Sequence, residues 1–560
     1  MWGQVEADDP RAKLFNGGDQ VHGYIKLNGL CVSLMDTPQF QRLRDLKQLG
    51  TLYYVFPGAS HNRFEHSLGV SYLSGQTVER LRQQQPELEL TRRDARLLVR
   101  KTSGLLHDLG HGPFSHVFEH EFMPRVAAAR GYASAENVPY HHEDMSVRMI
   151  EYMVDENHIE IERADVRFIQ QLITGAQECV THKLAVVPTC SLFFVRTCAY
   201  VAFCRTHRGA RVDARDYLYE IVANGRNCID VDKFDYLARD MLNLFGLRKV
   251  FDFSRLTMFN RVIDNEICYH TSVHLDIYDM FQQRYQMHKQ IYNHRKGKAV
   301  EYMICDAMLE ADQELGIYRA TQTPEDFQFL TDHIVHSIEA SKSETLAKAR
   351  ALLKRMRRRE LYEFIDEYLV PSELMARIPR LTADELATQT SLDGITLHPD
   401  EMIVFDGRVN YNFKDRNPVD NVSFYASSDL DTKFHIPKEQ VSLLFPEKVR
   451  RFVCFLDVKN NKRVVANDIC EQFEERILRV YSRNQSADVH AAIQHAFRRY
   501  LRQFSTTLPP PSPSSKVRKG LLVLSPCLTT ESKRLRSTRC TENQLGAPRE
   551  KLFENYQVTS

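Results

Sequence analysis

The stretch that decides the fold is His107-Asp-Leu-Gly-His-Gly-Pro-Phe-Ser-His116. It follows an apolar helical run that ends in Gly104-Leu-Leu106, and Gly110, Gly112 and Pro113 are residue types that end helices. The stretch therefore predicts an imidazole and a carboxylate side by side at a helix end, with further histidines in the turn behind them. A buried His-Asp pair needs a partner, and a divalent cation is the usual one. A capped helix with surface histidines is the weaker alternative.

The composition is that of an ordinary globular protein. The 560 residues are 43% hydrophobic, 26% charged and 10% aromatic, which excludes a wholly disordered, collagen-like or coiled-coil chain. The 74 basic and 73 acidic residues give a net charge of +1, so an anion site must come from local placement of charge. The 12 cysteines form no Cys-x-x-Cys pair, and the N-terminus does not read as a secretory signal. We expect an intracellular protein, in the nucleus, the cytoplasm or both, that is not secreted.

The spacing of apolar residues predicts a mainly α fold with a smaller C-terminal α+β lobe. Residues 1–12 read as a disordered lead, and residues 13–371 carry apolar residues three and four apart, which predicts a helical core. Residues 372–505 read as a mixed α/β lobe, with strands within 401–413 and 422–425 and a helix over 467–483. Proline-rich sequence then leads into residues 506–560, which we expect to be a disordered basic tail.

Several polar side chains recur at helical spacing. Arg63 and His66 lie three residues apart and hence on one helix face. Three stripes have a spacing of about four residues: Asp232, Tyr236 and Asp240; Arg284, His288 and Tyr292; and Gln41, Arg44 and Gln48 on a helix predicted to begin at Asp36-Thr37-Pro38. Each stripe alone is compatible with a wet surface. Together they indicate a polar cavity inside a helical bundle.

His66, His107-Asp108 and Asp232 match the signature of the HD superfamily, so the chain resembles these metal-dependent phosphohydrolases. Longer strings, at 36–44, 53–69 and 107–116, resemble the sterile-alpha-motif and HD-domain deoxynucleoside triphosphate triphosphohydrolases. The likeness covers roughly residues 13–483, in a form that lacks the sterile-alpha-motif domain. It implies an HD-domain helical bundle, with the HD domain proper at about 61–240.

The resemblance implies one divalent metal, held by His66, His107, Asp108 and Asp232. Two imidazoles and two carboxylates suit Zn, Fe or Mn, of which we expect Zn. Such a metal lowers the pKa of a bound water and polarises a phosphoryl oxygen. Members of the family hydrolyse a dNTP to a deoxynucleoside and inorganic triphosphate, with Mg on the nucleotide phosphates.

The resemblance also implies roles around the metal. His116 would protonate the leaving 5′ oxygen, with His111, His142 and Glu119 tuning or relaying the proton; Glu119 stands where the family has Asp. The substrate contacts would be Arg63, Lys233 and Arg284 to phosphate, Gln48 and Asp240 to the 3′ hydroxyl, Leu49 and Tyr292 against a 2′ hydroxyl, and Tyr236 beside the sugar. Because this set grips little of the base, we expect all four dNTPs to be accepted.

The family is activated by nucleotides that bind between subunits and build a homotetramer. The residues that match its GTP site are Lys13, Asp36, Gln41, Arg44 and Arg359. Those that match its dNTP activator site are Asn16, Val55, Phe56, Arg255, His294 and Lys438. Glu363 and Gln290 replace basic residues of the family, so we expect weaker or altered activation. The resemblance further implies a role in limiting dNTP pools, in antiviral restriction and in DNA repair.

Residues 178–212 interrupt the family-like sequence. Within them, residues 184–204 are apolar and just long enough to raise a membrane span. A span there would separate His107 and Asp108 from Asp232, so we expect a dispensable inserted loop and no membrane partner. The alternatives to a dNTP triphosphohydrolase are an HD phosphohydrolase of another nucleotide and a non-catalytic regulator that binds single-stranded nucleic acid.

Overall fold

The computed structural model describes residues 13–90, 102–131, 140–175, 216–246, 251–389, 395–411, 417–436, 453–457, 462–466, 474–505 and 508–510. The predicted lead, the insertion at 178–212, Lys438 and all but residues 508–510 of the tail lie outside these ranges. Within them the fold is mainly α-helical with small sheets, which confirms the predicted fold class.

The helices of the described ranges fall into a larger N-terminal set and a smaller C-terminal one. The first set is α1 (Gly29–Met35), α2 (Pro38–Gln41), α3 (Arg63–Gln84), α4 (Thr102–Leu106), α5 (Met123–Ala129), α6 (His142–Glu156), α7 (Arg163–Thr174), α8 (Val231–Phe245), α9 (Ser254–Met258), α10 (His274–Met287), α11 (Arg295–Leu315), α12 (Ile317–Ala320), α13 (Pro324–Phe327), α14 (Ile334–Ala340) and α15 (Ala347–Arg357). The second set is α16 (Ala383–Ala387) and α17 (Ala487–Arg502).

Four small sheets accompany the helices. Their strands are β1 (Lys13–Asp19), β2 (Gly23–Leu27), β3 (Asn260–Ile263), β4 (Glu266–His270), β5 (Glu363–Val370), β6 (Met402–Asn410), β7 (Phe424–Ala426), β8 (Asp429–Phe434), β9 (Val453–Asp457), β10 (Lys462–Ala466) and β11 (Glu474–Ser482). The hairpins β1–β2 and β9–β10 are antiparallel, β11 lies between β5 and β6, and the fourth sheet has the order β3-β4-β7-β8. Two of these sheets therefore join strands from both sides of residue 371.

The predicted helix over 467–483 is wrong where the structure describes it, because residues 474–482 form strand β11. Ile477, Val480 and Tyr481 have the i, i+3, i+4 spacing of a helix face, which explains the error. β-branched and aromatic residues also favour strands, and here they fill a central strand that pairs with β5 on one side and β6 on the other.

The helix predicted to begin at Asp36 begins one residue later. Thr37 is the N-cap of α2, with its Oγ1 accepting a hydrogen bond from the Phe40 amide at 3.3 Å, whereas Asp36 ends α1. α2 passes into a short 3₁₀ turn over Arg42–Asp45, and Gln48 lies beyond both. Gln41, Arg44 and Gln48 are therefore not one stripe of a single helix.

The helices that carry the candidate site have capped starts. α3 begins at a capping box, in which the Glu65 carboxylate accepts a hydrogen bond from the Asn62 amide at 3.1 Å. α8 begins at Asp230, whose Oδ1 accepts from the Lys233 amide at 3.0 Å. No helix of the described residues is long and apolar enough to cross a bilayer; the apolar stretch 184–204 is not among them.

Candidate functional site

Three elements bring the predicted metal ligands together. His66 lies in the first turn of α3, His107 and Asp108 follow the end of α4, and Asp232 lies in the first turn of α8. The ligand atoms of His66, His107 and Asp232 lie within 4.8 Å of one another. Asp108 completes the group, since its two oxygens lie 3.4 Å from His107 Nε2 and 3.7 Å from His66 Nε2.

Both imidazoles present Nε2 to this cluster. His66 Nδ1 donates to Asp235 Oδ2 at 2.7 Å, and His107 Nδ1 donates to the Gly104 carbonyl at 2.7 Å. A neutral imidazole that donates through Nδ1 keeps its lone pair on Nε2. His107 Nε2 is buried and makes no hydrogen bond to any described residue. Two outward lone pairs between carboxylates, each backed by an acceptor, are the donor set of a divalent metal site, so these residues fit the implied ion.

Asp235 is a functional residue that the sequence reasoning missed. Its carboxylate is fully buried and accepts hydrogen bonds from Arg239 Nε and Nη2 at 2.8 and 2.9 Å. His22, in the β1–β2 turn, lies with its Nε2 2.6 Å from Asp235 Oδ1, whereas His66 bonds Asp235 Oδ2. Arg239 in turn donates to Asp19 at 2.7 Å. The hairpin therefore fixes the carboxylate that orients His66. The signal was present as a carboxylate three residues after Asp232, on the same helix.

Arg63 is anchored against the metal cluster. Its Nη1 donates to Asp108 Oδ2 at 2.5 Å, and its Nε donates to Ser115 Oγ at 2.7 Å. Burial raises the pKa of Asp108, but the charge of Arg63 and the nearby histidines outweigh burial and hold that pKa well below its usual range. Arg63 Nη2 is buried and has no partner among the described residues. One guanidinium nitrogen thus remains for an anion such as phosphate.

The turn after His107-Asp108 is tightly packed. Tyr140 donates to the Gly110 carbonyl at 2.6 Å, and the Gly110 amide donates to Ser146 Oγ at 2.8 Å. A Cβ at Gly110 would lie 2.0 Å from the His142 carbonyl oxygen, so only glycine permits this contact with α6. Phe114 and Ser115 then adopt φ of +58° and +59°. This rigid left-handed turn delivers His116 to the site.

The four residues assigned to proton transfer form one cluster. The rings of His111 and His142 stack at 4.1 Å, and that of His111 meets His116 edge-on at 5.1 Å. His142 Nδ1 lies 2.7 Å from Glu119 Oε2. His141, which the sequence reasoning did not select, reaches the other oxygen of Glu119 at 3.2 Å.

The cluster holds one imidazole with a raised pKa, that of His142, and two with a lowered pKa, those of His111 and His116. Burial lowers the pKa of His142, but the hydrogen bond to Glu119 outweighs it and raises that pKa to about 9. The hydrogen bonds from His141 and His142 outweigh burial at Glu119 and lower its pKa. At His116, the enclosing protein and the charge of Arg63 lower the pKa. The His116 side chain is exposed to solvent.

The predicted sugar contacts also meet. Tyr292 Oη donates to Asp240 Oδ2 at 2.6 Å, and His61 Nε2 donates to Asp240 Oδ1 at 2.8 Å. Leu49, Tyr236 and Tyr292 are partly buried against one hydrophobic cluster. Gln48 Oε1 is buried and accepts no hydrogen bond from a described residue, so it offers an acceptor to a hydroxyl.

Two further cations face the same region. Lys233 Nζ lies 3.2 Å from Asp230 Oδ2, so the predicted phosphate ligand is already paired with its own helix cap. Arg284 Nη1 donates to the Asn410 carbonyl at 3.0 Å, while its buried Nε has no partner among the described residues. Burial, reinforced by the charges of Arg284, His116 and Lys233, lowers the pKa of His288. Arg284, Lys233 and His116 are therefore close enough to His288 to interact with it electrostatically.

The predicted activator residues lie on the surface in two places. Arg44 Nε donates to Gln41 Oε1 at 2.8 Å, and Gln41 donates to the Met35 carbonyl at 2.9 Å, next to Asp36. Arg359 donates to the Tyr54 carbonyl at 2.7 Å, beside Val55. The side chains of Lys13 and Asn16 lie outside the described parts, as does Lys438.

The dNTP activator residues are only partly brought together. Phe56 and His294 pack ring against ring at 5.2 Å. Arg255 instead pairs with Asp276 at 3.1 Å and with the Ser272 carbonyl at 3.1 Å.

The HD domain family model matches residues 63–187. The deoxynucleoside triphosphate triphosphohydrolase SAMHD1 homolog of Dictyostelium discoideum is 36% identical over 507 residues, which cover 90% of this chain and 83% of the relative. SAMHD1 of Gallus gallus is 37% identical over 86% of this chain and 77% of its own length, and SAMHD1 of Homo sapiens is 38% identical over 77% and 68%. Identity of this level spans most of both chains, and the HD match contains His66, His107 and Asp108. The chain therefore belongs to the SAMHD1 family of HD-domain deoxynucleoside triphosphate triphosphohydrolases.

Proposed function

We propose that this hydrolase converts dNTPs to deoxynucleosides and inorganic triphosphate. The observation that carries the proposal is the His66, His107 and Asp232 cluster, with Arg63 bonded to the adjacent Asp108. Arg63 Nη2 and Arg284 Nε have no partner among the described residues. A triphosphate carries several negative charges and is best bound by such forked donors. Family membership supports the same substrate.

The side chains around the metal site would bind the phosphates and supply the proton for the leaving group. A divalent ion on His66, His107, Asp108 and Asp232, with Zn expected and Fe or Mn accepted by the same ligands, would activate water and polarise a phosphoryl oxygen. Arg63 and Arg284 hold the phosphates, which carry Mg. Cleavage at the α-phosphorus leaves the 5′ oxygen as an alkoxide, a poor leaving group that needs a proton. His116 is the proton donor in this proposal.

The electrostatics of the cluster explain how His116 obtains that proton. Without substrate, burial, the charge of Arg63 and the neighbouring imidazoles lower the pKa of His116 and disfavour its charged form. A bound triphosphate reverses the sign of the local field and raises the pKa of His116. His142, whose Nδ1 lies 2.7 Å from Glu119 Oε2, and His111, whose ring stacks on that of His142, are the residues proposed to tune or relay this proton. Substrate binding and protonation of the donor are thereby coupled.

Selection of deoxyribose follows from the pocket walls. Gln48 and Asp240 bond the 3′ hydroxyl, Tyr236 packs beside the sugar, and Leu49 and Tyr292 leave no space for a 2′ hydroxyl. The Tyr292–Asp240 hydrogen bond of 2.6 Å keeps the phenol in place. Because these groups contact the sugar and not the base, all four dNTPs are substrates and rNTPs are not.

We further propose that GTP and dNTPs activate the enzyme by building a homotetramer. Asp36, Gln41, Arg44 and Arg359 would read GTP, with Lys13 on its phosphates. The adjoining dNTP would contact Asn16, Val55, Phe56, Arg255, His294 and Lys438. The enzyme would then limit dNTP pools in the nucleus or cytoplasm, with consequences for viral replication and DNA repair.

The decisive experiment incubates purified full-length protein with each dNTP and its matching rNTP, with and without GTP, and measures release of inorganic triphosphate. We expect turnover of all four dNTPs, none of the rNTPs, and loss of both bound metal and turnover in a His107→Ala, Asp108→Ala double variant. Turnover of a different nucleotide would identify another HD phosphohydrolase. Binding of single-stranded nucleic acid by the double variant, without dNTP turnover by the wild type, would identify a non-catalytic regulator.

A further inference from the structure

Three side chains form a second cluster beside the metal site. The ligand atoms of His116, Glu119 and His120 lie within 4.8 Å of one another. The rings of His116 and His120 are parallel, with an interplanar angle of 2° and centroids 5.5 Å apart. Both histidines are exposed to solvent, so an ion could reach the cluster. None of the proposed catalytic steps uses His120.

The local helix presents the three side chains on one face. Residues i, i+3 and i+4 of a helix are neighbours, and residues 118–122 form a π-helical turn between His116 and α5. Pro124 accounts for this turn, because it has no amide hydrogen for the His120 carbonyl that an α-helix would pair with it. The Met123 amide instead bonds the Phe118 carbonyl, five residues back. π turns of this kind are frequent at functional sites.

Two neighbouring histidines hold the Glu119 carboxylate in place. His142 Nδ1 and His141 Nδ1 lie 2.7 and 3.2 Å from its two oxygens. Each carboxylate oxygen has a second lone pair, so these bonds do not prevent metal binding. They fix the orientation of the carboxylate in the way that outer hydrogen bonds orient metal ligands.

We propose that His116, Glu119 and His120 bind a second divalent transition-metal ion, and that this ion inhibits hydrolysis by occupying the imidazole of His116. Two imidazoles and one carboxylate suit Zn²⁺ and disfavour Mg²⁺, which prefers oxygen ligands in octahedral geometry. The metal binding stands on its own, whereas the inhibition rests on the proposed role of His116 as proton donor. An imidazole whose lone pair binds a metal cannot carry the proton that the leaving group needs.

The test compares full-length wild type with His120→Gln and with the control His336→Gln, which alters an exposed histidine on α14. Each protein is equilibrated with buffered Zn²⁺, and bound zinc per chain is measured by elemental analysis. We expect wild type and the control to bind one equivalent more than His120→Gln. Equal stoichiometry in all three proteins overturns the site, and would be explained by zinc on Glu119, His142 and Glu143 instead.

A second measurement follows triphosphate release during the same zinc titration. His120→Gln keeps its turnover at low zinc, and its inhibition midpoint moves at least about 10-fold higher, as expected for loss of one ligand. Inhibition of His120→Gln at the wild-type midpoint overturns the regulatory part. The stoichiometry needs no activity, so failure of the proposed dNTP hydrolysis is distinguishable from failure of the zinc site.

Discussion

At the scale of single residues, Asp235 orients the predicted metal ligand His66. It is fully buried and accepts from Arg239 while His66 and His22 flank it. In Asp235→Asn the amide NH₂ replaces an acceptor and faces these donors, so His66 loses its fixed orientation. We expect a 10- to 100-fold loss of metal affinity, measured as metal retained against graded chelator.

The matched control is Asp279→Asn, which alters an exposed aspartate of α10 that accepts a hydrogen bond from Gln283 at 3.2 Å. It should retain metal like the wild type. If Asp235→Asn folds normally and retains metal equally well, then Asp235 does not orient His66.

Sequence reasoning selected the residues that meet at the cluster but not the residues that hold them. His66, His107, Asp108 and Asp232 belong to a signature that can be read from order alone. His22 and Asp235 are 213 residues apart, and no spacing rule links a hairpin turn to a helix face at that distance. Contacts that orient a metal ligand, such as those of Asp235 and His22, depend on tertiary packing. The periodicity of a single helix or strand does not predict them.

Asp332 provides a residue-scale prediction about pH. It accepts from the Phe114 amide at 2.6 Å and from the Lys47 amide at 2.9 Å, and so clamps the left-handed turn that precedes His116. Burial outweighs these bonds and raises its pKa from 3.8 to about 6. The folded protein therefore binds more protons than the unfolded chain between these values, and the wild type loses stability as pH rises through that window.

Asp332→Asn cannot ionise, so its stability relative to wild type should improve between pH 4 and pH 6. A shift of about two pKa units sets an upper limit of roughly 3 kcal/mol on this change. Urea unfolding of both proteins from pH 4 to pH 8 measures it. The reverse trend, with the wild type gaining on the variant, would show that the two amide bonds to the carboxylate dominate over burial.

At the scale of elements, the packing of α3 on α8 depends on Gly69. A Cβ there would lie 1.8 Å from Asp235 Oδ1 and 2.6 Å from Arg239 Nη2. Alanine favours the helix by up to about 1 kcal/mol, but the overpacking costs about 1–3 kcal/mol and displaces the carboxylate behind His66. We expect Gly69→Ala to lower both the melting temperature and metal retention.

Gln83→Ala, at an exposed position of α3, is the control for the substitution itself. It should leave both quantities near their wild-type values. A Gly69→Ala protein as stable as Gln83→Ala and equally loaded with metal would mean that the helices separate without cost to the site.

Element types were predictable where one signal dominated. Asp36-Thr37-Pro38 marks a helix start that the structure contains within one residue of the expected place. β11 was predicted as a helix because the spacing of its apolar residues is compatible with both a helix and a strand. Its pairing with β5 and β6 makes it a strand. The same dependence on long-range pairing explains why sheet partners on both sides of residue 371 could not be assigned from sequence.

At the scale of the whole molecule, β5 connects the predicted GTP site to the C-terminal strands. Arg359, with φ of +64°, donates to the Tyr54 carbonyl, and Glu363 then opens β5 opposite Ser482 of β11. Arg483, which follows β11, donates through Nε to Asp306 Oδ2 of α11 at 2.8 Å and so links the strand to the helical core. Glu363 therefore lies on the strand that follows Arg359, a residue of the proposed GTP site.

Glu363→Lys should lower the GTP concentration needed for tetramer assembly and turnover. Two unit charges about 6 Å apart interact by roughly 3 kcal/mol at an effective dielectric constant near 20, and solvent screening reduces this considerably. A remaining penalty of about 1 kcal/mol corresponds to several-fold weaker activation in the wild type, not to its loss. Asp36 and Arg44 are unchanged in the variant, so preference for GTP over ATP should persist.

GTP titrations followed by light scattering and triphosphate release measure both effects, with Glu360→Lys as a control for added charge nearby. Coincident curves for wild type and Glu363→Lys would show that Glu363 points away from the activator phosphates, and that the match to the family's GTP site fails at its phosphate end.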